Sequence, residues 1–233
     1  MSSSAVDAPG QPEVRITTGS GSINVIAEAR ADVVAEGRVD VQRAADGAVE
    51  VVPQKGSRSM TVRCPEGSSV TVGTRSGSLQ LEGRFGAVRA TTLSGSIAVD
   101  TAQSVDARAM SGKITIGACS GACRLKTKSG SIRLKSAGSA EVHIGSGSVN
   151  LDHVEGSVVA RAVSGSVTVD AGAAGPVLVE TMSGSITVTL PPNCRPNVRA
   201  KSMSSRPRVE CESGDDCDVK VRTMSGGISV RCR

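Results

Sequence analysis

Met182-Ser183-Gly184-Ser185-Ile186-Thr187-Val188 is the stretch from which the fold can be read, because near-copies of it recur from Gly19 to the last residues of the 233-residue chain. Aligned on the Ser of the Ser-Gly pair, the copies stand at Ser20, Ser76, Ser94, Ser111, Ser129, Ser146, Ser164, Ser183 and Ser225. From Ser76 to Ser183 the anchors are 18, 17, 18, 17, 18 and 19 residues apart. A sustained period of this length marks a repeat architecture, in which one repeat cannot bury a face alone and must stack on its neighbours.

The residues around each anchor define two strands. Three positions after it stand Ile23, Leu79, Ile97, Ile114, Ile132, Val149, Val167, Ile186 and Ile228, and five positions after it Val25, Leu81, Val99, Ile116, Leu134, Leu151, Val169, Val188 and Val230. All are aliphatic, and the residue between them is polar or small, which is the period-two alternation of a half-buried strand. Six and four positions before the anchor the chain is again apolar, as in Val70 and Val72 or Val177 and Val179, and two before it six of the nine residues are Thr. Between these inward positions Arg89, Asp106, Arg124 and Glu141 point outward, as do Arg108, Lys126 and His143.

Each period therefore reads as strand, Ser-Gly corner, strand and a looser turn. The looser turn carries one more small inward position at Ala102, Cys119, Ala137 and Val154, with Gly172 between Ala171 and Ala173 as its counterpart. Gly supplies the positive φ of the corner, and the Ser hydroxyl is expected to bond nearby backbone. The prediction is an all-β, single-domain β-solenoid of two-stranded coils. Residues 1–12 read as a disordered tail and 13–233 as the solenoid, with 68–190 its regular coils. Residues 30–67 read as a meander with a hairpin turn at Ala45-Asp46-Gly47, and 191–233 as degenerate coils interrupted by Pro191, Pro192, Pro196 and Pro207. Both irregular regions are natural caps, since an open solenoid end exposes strand edges that invite self-association.

Composition agrees. With no Trp, no Tyr and a single Phe (Phe85), the core must be thin and aliphatic, and 27 Gly supply the turns. The formal charge of +5 is a mild bias open to an acidic partner. Residues 1–11 lack the basic start and apolar run of a secretory signal, and no stretch has the roughly 18 consecutive apolar residues of a membrane span. A cytoplasmic chain is the expectation, or a cell-surface one if it belongs to a longer exported protein. Seven Cys with no C-x-x-C pair do not imply a disulfide framework.

With the coils aligned, the chain resembles the bacterial "putative adhesin" family of β-strand repeat proteins, the toastrack-like domains, whose coils carry T-x-S-G-[SD]-I-x-[VI]. The matching segments are 92–99, 127–134, 181–188 and 223–230, preceded by Cys64-Pro65-Glu66-Gly67. The resemblance spans residues 13–233 and implies a β-solenoid and an adhesin-like role with no defined activity.

No residue set points to catalysis. His143 and His153 are the only imidazoles, His143 reads as a surface side chain, and no nucleophile elbow or phosphate loop accompanies them. A tetrahedral zinc site from Cys119, Cys123, Cys211 and Cys217 conflicts with the alignment, which puts Cys119 and Cys123, like Cys64, at core positions. Of that set Cys211 and Cys217 remain open to pairing or metal, and the redox state of Cys194 and Cys232, like theirs, stays open in the sequence; no metal and no cofactor is expected. The candidate interaction surface comprises the basic outward residues Arg89, Arg108, Arg124, Lys126 and Arg161 and the apolar residues Leu93, Met110 and Met182 that immediately precede anchors. It suits a protein or acidic partner. Nucleic acid is disfavoured, because stacking aromatics and a groove-entering helix are both missing. A non-enzymatic interaction module is thus the first reading; a self-assembling scaffold and a polyanion-binding module are the alternatives.

Overall fold

The structure, a computed structural model, describes residues 3–8, 10–54 and 59–233, and strand is the only regular secondary structure among them. Among these residues no helix is long and apolar enough to cross a membrane. The chain divides into two compact units, Met1–Cys119 and Ser120–Arg233. Each is built of β-solenoid coils. In a repeat array packing is local to neighbouring coils, so contacts gather into such units along one β-solenoid.

In the first unit the strands are β1 (Ser3–Asp7), β2 (Glu13–Ser20), β3 (Ser22–Glu28), β4 (Asp32–Glu36), β5 (Val39–Arg43), β6 (Val49–Pro53), β7 (Ser59–Pro65), β8 (Ser69–Ser76), β9 (Leu79–Ser94) and the first part of β10 (Ile97–Val154). The long runs bend through corners without losing extended backbone. Coils stack in parallel with anchors opposite anchors, Ser20 on Ser76, Ser76 on Ser94 and Ser94 on Ser111. The aliphatic rows fall into register as well: Ile23, Leu79 and Ile97 pair in sequence and are all buried.

The coil that starts the repeat, β2 and β3, is not an end. It lies between β8 and β9 on one side and β6 and β7 on the other. The excursion 30–65 therefore covers it, with β4 antiparallel to β7 and β5 antiparallel to β6. At the turn between β5 and β6, Gly47 has φ of 85° and its N–H donates to the Ala44 carbonyl. The N-terminal segment differs from expectation: Ser3–Asp7 forms β1, antiparallel to β4. Its short polar sequence conceals this, because β4 rather than β1 supplies the template. Residues 1, 2, 9 and 55–58 lie outside the described residues.

The second unit continues β10 and adds β11 (Val158–Ser164), β12 (Val167–Ala171), β13 (Val177–Ser183), β14 (Ile186–Leu190), β15 (Pro196–Ser202), β16 (Arg208–Glu210), β17 (Cys217–Ser225) and β18 (Ile228–Cys232). Here too the chain order is not the spatial order. The last regular coil, β17 and β18, sits between β13 and β14 on one side and the degenerate β15 and β16 on the other. The proline-interrupted segment is thus the outer layer of this unit. At the looser turn Ala171, buried and opposite Val154, fills the small inward position instead of Gly172. A register shift after Leu151 moves the inward position by one residue.

Aliphatic rows carry the stability. Val158, Val179, Val219, Ile186 and Val188 are at most 1% exposed, and each such side chain contributes roughly 1.5–3 kcal/mol on burial. Each corner adds a hydrogen-bond pattern of its own. Gly165 N–H donates to the Ser183 carbonyl and Gly184 N–H to the Ser225 carbonyl. The same carbonyls accept a second bond from the Thr hydroxyls, Thr181 Oγ1 at 3.3 Å and Thr223 Oγ1 at 3.2 Å. The hydroxyl expected to bond backbone at the corner is therefore that of the inward Thr. Being buried, it needs an acceptor, and the Ser carbonyl two residues on supplies one to Thr18, Thr74, Thr127, Thr181 and Thr223 but not to Thr92.

Candidate interaction surface

In the first unit the outward face places Arg89 and Arg108 around one carboxylate. Arg108 makes two 3.0 Å bonds to Asp106, and Arg89 Nε stands 4.0 Å from Asp106 Oδ2. Both guanidinium groups remain largely exposed, so the pairs contribute at most about 1 kcal/mol each. Leu93 and Met110, one residue before paired anchors, are 45% and 51% exposed. Their position follows from strand alternation: Thr92 and Ala109 before them and the apolar residues Ile97 and Ile114 after the corner are buried, leaving this site outside.

In the second unit the outward face is more cationic. Arg124 bonds Glu141 at 3.3 Å, and His143 Nε2 lies 3.2 Å from the other Glu141 oxygen. The hydrogen bond from His143, reinforced by Arg124, holds the Glu141 carboxyl below its usual range. Lys126 is exposed on the same face. Arg161 bonds Glu180 at 3.2 Å. Beyond Glu180 the register continues to Arg222 and then Lys201, and the adjacent row runs from Leu178 to Lys220 and Arg199. Among the described residues Arg222, Lys201, Lys220 and Arg199 have no carboxylate in ion-pair contact, so this end of the sheet holds uncompensated positive charge.

On that end the apolar pre-anchor row closes into a groove. Met182 and Met224 are on neighbouring strands β13 and β17, and Met203 follows directly after β15 on the outer side. They are 55%, 53% and 81% exposed. Together with Pro207 they line a groove of about 700 Å³ whose rim carries Arg161, Glu180, Lys201 and Arg222. Flexible thioethers with a cationic rim form a surface that can adapt to an apolar segment bearing acidic groups.

Of the residues singled out in sequence, the structure gathers Arg161 and Met182 at this groove. Arg124 and Lys126 lie on the same unit's face outside it, and Arg89, Arg108, Leu93 and Met110 belong to the first unit. Met203, Lys201 and Arg222 were missed. The signal was present, since Val198, Ala200 and Ser202 pair with Val219, Val221 and Thr223 and so put Met203 at the pre-anchor position. Proline breaks and the missing Ser-Gly pair obscured it.

The cysteines divide as the alignment suggests, with one correction. Cys64, Cys119 and Cys123 are buried, and burial pushes the Cys64 thiol up to about 11. Cys211, however, is disulfide-bonded to Cys232 and not to Cys217. The insertion of β17 and β18 beneath β16 brings Cys232 to Cys211, a proximity invisible in linear spacing. No cluster of three or more metal-ligating side chains occurs among the described residues.

Comparison with known proteins bears on the fold. The "putative adhesin" of Bacteroides fragilis NCTC 9343 superposes with a TM-score of 0.50 at 13% identity, covering 99% of this chain and 96% of its own. That of Parabacteroides merdae ATCC 43184 gives 0.51 at 11% identity, covering 100% and 95%. No curated protein matches the chain in sequence. The family model described as Toastrack DUF4097 matches residues 30–231.

Proposed function

The chain belongs to the Toastrack DUF4097 family, and on that premise we propose that it is a non-catalytic, adhesin-like interaction module whose docking site is the methionine groove of the second unit. The occupant is a protein segment that combines apolar side chains with Asp or Glu. One observation carries this reading: Met182, Met203 and Met224 are more than half exposed side by side, beneath the unpaired cations Lys201 and Arg222. Solvent-exposed apolar clusters of this kind mark binding sites, and the positive rim selects acidic sequences and speeds encounter. The names of the two structural neighbours, each a "putative adhesin", agree with a binding role. The Cys211–Cys232 disulfide favours an oxidising setting over the cytoplasm.

The test is a peptide-display selection on the full chain, followed by titration of the best peptide. Enriched sequences should pair apolar anchors with acidic residues, and Met182→Asp should weaken binding at least about tenfold while leaving thermal stability unchanged. Enrichment without acidic residues, or affinity indifferent to Met182→Asp, would overturn the assignment. Heparin binding that competes with the peptide and is lost in Arg161→Glu would favour a polyanion instead.

A further inference from the structure

Beside the Cys211–Cys232 disulfide, two more cysteines of the proline-interrupted segment meet inside the second unit. Cys194 and Cys217 are each 7% exposed, and their Sγ atoms are 3.4 Å apart. Backbone bonds hold them there. Asp216 N–H donates to the Arg195 carbonyl at 3.0 Å, and Arg195 N–H donates to Asp216 Oδ2 at 2.8 Å. One residue further Pro196 lies opposite Cys217 in the β15–β17 register. Cys194 also lines a polar cleft of about 280 Å³ together with Cys211 and Cys232, and Cys232 Sγ is 3.3 Å from the Cys194 carbonyl oxygen.

A disulfide requires an S–S separation of about 2.05 Å, so these sulfurs need to close by little more than one ångström, within the reach of small side-chain rotations. The same conditions that oxidise Cys211 and Cys232 act on this neighbouring pair. We propose that Cys194 and Cys217 form a second disulfide, and that this bond fastens the outer wall of the second unit. The segment it closes carries β15, Met203, Pro207 and β16. Among the described residues β15 pairs only with β17 and β16 only with β18, so strand pairing secures this layer on one side alone. The consequence for ligand binding rests on the groove reading above; the bond does not.

The oxidant is a disulfide of a small thiol such as glutathione, or of a thiol oxidoreductase. The thiolate of one cysteine attacks a sulfur of the external disulfide, releasing one thiolate and forming a mixed disulfide. The second cysteine, deprotonated, attacks the protein sulfur and expels the other half. Two electrons pass from the cysteine pair to the external disulfide, and the two released protons end on its two thiols. Burial pushes the Cys217 thiol up to about 12, so exchange occurs while the segment is forming or open.

The full chain, refolded in a glutathione redox buffer and blocked with iodoacetamide, is digested with trypsin and a Glu/Asp-specific protease that cuts between Cys211 and Cys217 at Glu212. Non-reducing mass spectrometry should give a peptide linking Cys194 to Cys217 beside one linking Cys211 to Cys232. Recovery of Cys194 as an alkylated thiol while Cys211–Cys232 is intact would overturn the proposal. In the double variant Cys194→Ser, Cys217→Ser, tryptic cleavage after Arg208 in the native protein should be at least fivefold faster. An unchanged cleavage rate would overturn the fastening role. Failure of the groove reading would show separately, as absent peptide binding by the oxidised wild-type chain.

Discussion

At the corners of Gly77, Gly95, Gly112, Gly147, Gly165, Gly184 and Gly226 one glycine satisfies two independent constraints. Gly165 has φ of 126°, and a Cβ there would overlap the carbonyl oxygen of Gly147 in the coil beside it. Backbone strain at such a φ costs on the order of 1–3 kcal/mol before the overlap is counted. Gly165→Ala should therefore lose at least about 2 kcal/mol in urea denaturation. Ser166→Ala, at the exposed position where other coils have Lys113 or Gly227, should stay within about 0.5 kcal/mol. The inward threonines separate further. Thr181→Val removes a bond to the Ser183 carbonyl, which keeps its bond from Gly165 N–H, so the loss should be about 0.5–1.5 kcal/mol. Thr92 Oγ1 is buried with no partner among the described residues. Thr92→Val should be neutral or stabilising in the same measurement, since an apolar group of the same shape replaces an unsatisfied one.

Strands and their side-chain ladders determine how the outward face responds to pH and redox. Glu141 sits beneath His143 and Arg124 and titrates below its usual 4.5. A carboxyl with a depressed folded pKa stabilises the fold above its unfolded value, and that contribution disappears as pH falls through the folded value. Thermal melts of Glu141→Gln should lie slightly below wild type near neutrality and converge with it on acidification below pH 4.5. A gap that persists under acid would mean that the side chain acts through packing. The Cys211–Cys232 bond, across 21 residues of chain, joins β18 to the outer segment. Cys211→Ser with Cys232→Ser should cost about 2–4 kcal/mol in denaturant unfolding, most of it lost equally on reduction of the wild type.

For the molecule as a whole, a net charge of +5 and the cations gathered on the second unit's sheet bear on association. The outer layer of that unit presents Pro207, Arg208 and Glu210, and β16 is exposed at all three residues. Proline removes backbone donors and charge disfavours burial, the two features that keep edge strands from pairing with other copies. Sedimentation velocity at rising concentration should show a single species of constant size; growth with concentration would favour the scaffold reading. Binding of an acidic peptide should weaken several-fold between low and physiological salt, because the rim charges are solvent-exposed and screened.

Period, corner and core were legible in the sequence because each is a local pattern repeated many times. Alternation decides which side chains face inward, and a Ser-Gly pair can turn only where Gly is allowed. The same logic placed Met182 and Arg161 on the outside and Cys64, Cys119 and Cys123 inside. What the sequence could not determine was which coil lies beside which when the chain departs from its period. The irregular excursions 30–65 and 191–210 are laid outside the coils that precede them, and the chain then returns, on the far side of β2 and β3 in one unit and between β14 and β16 in the other. That choice depends on long-range pairing, whose partners are separated by tens of residues and leave no local trace. It alone brings Cys211 to Cys232, Cys194 to Cys217, and Met203 to Met182 and Met224, and so creates the groove.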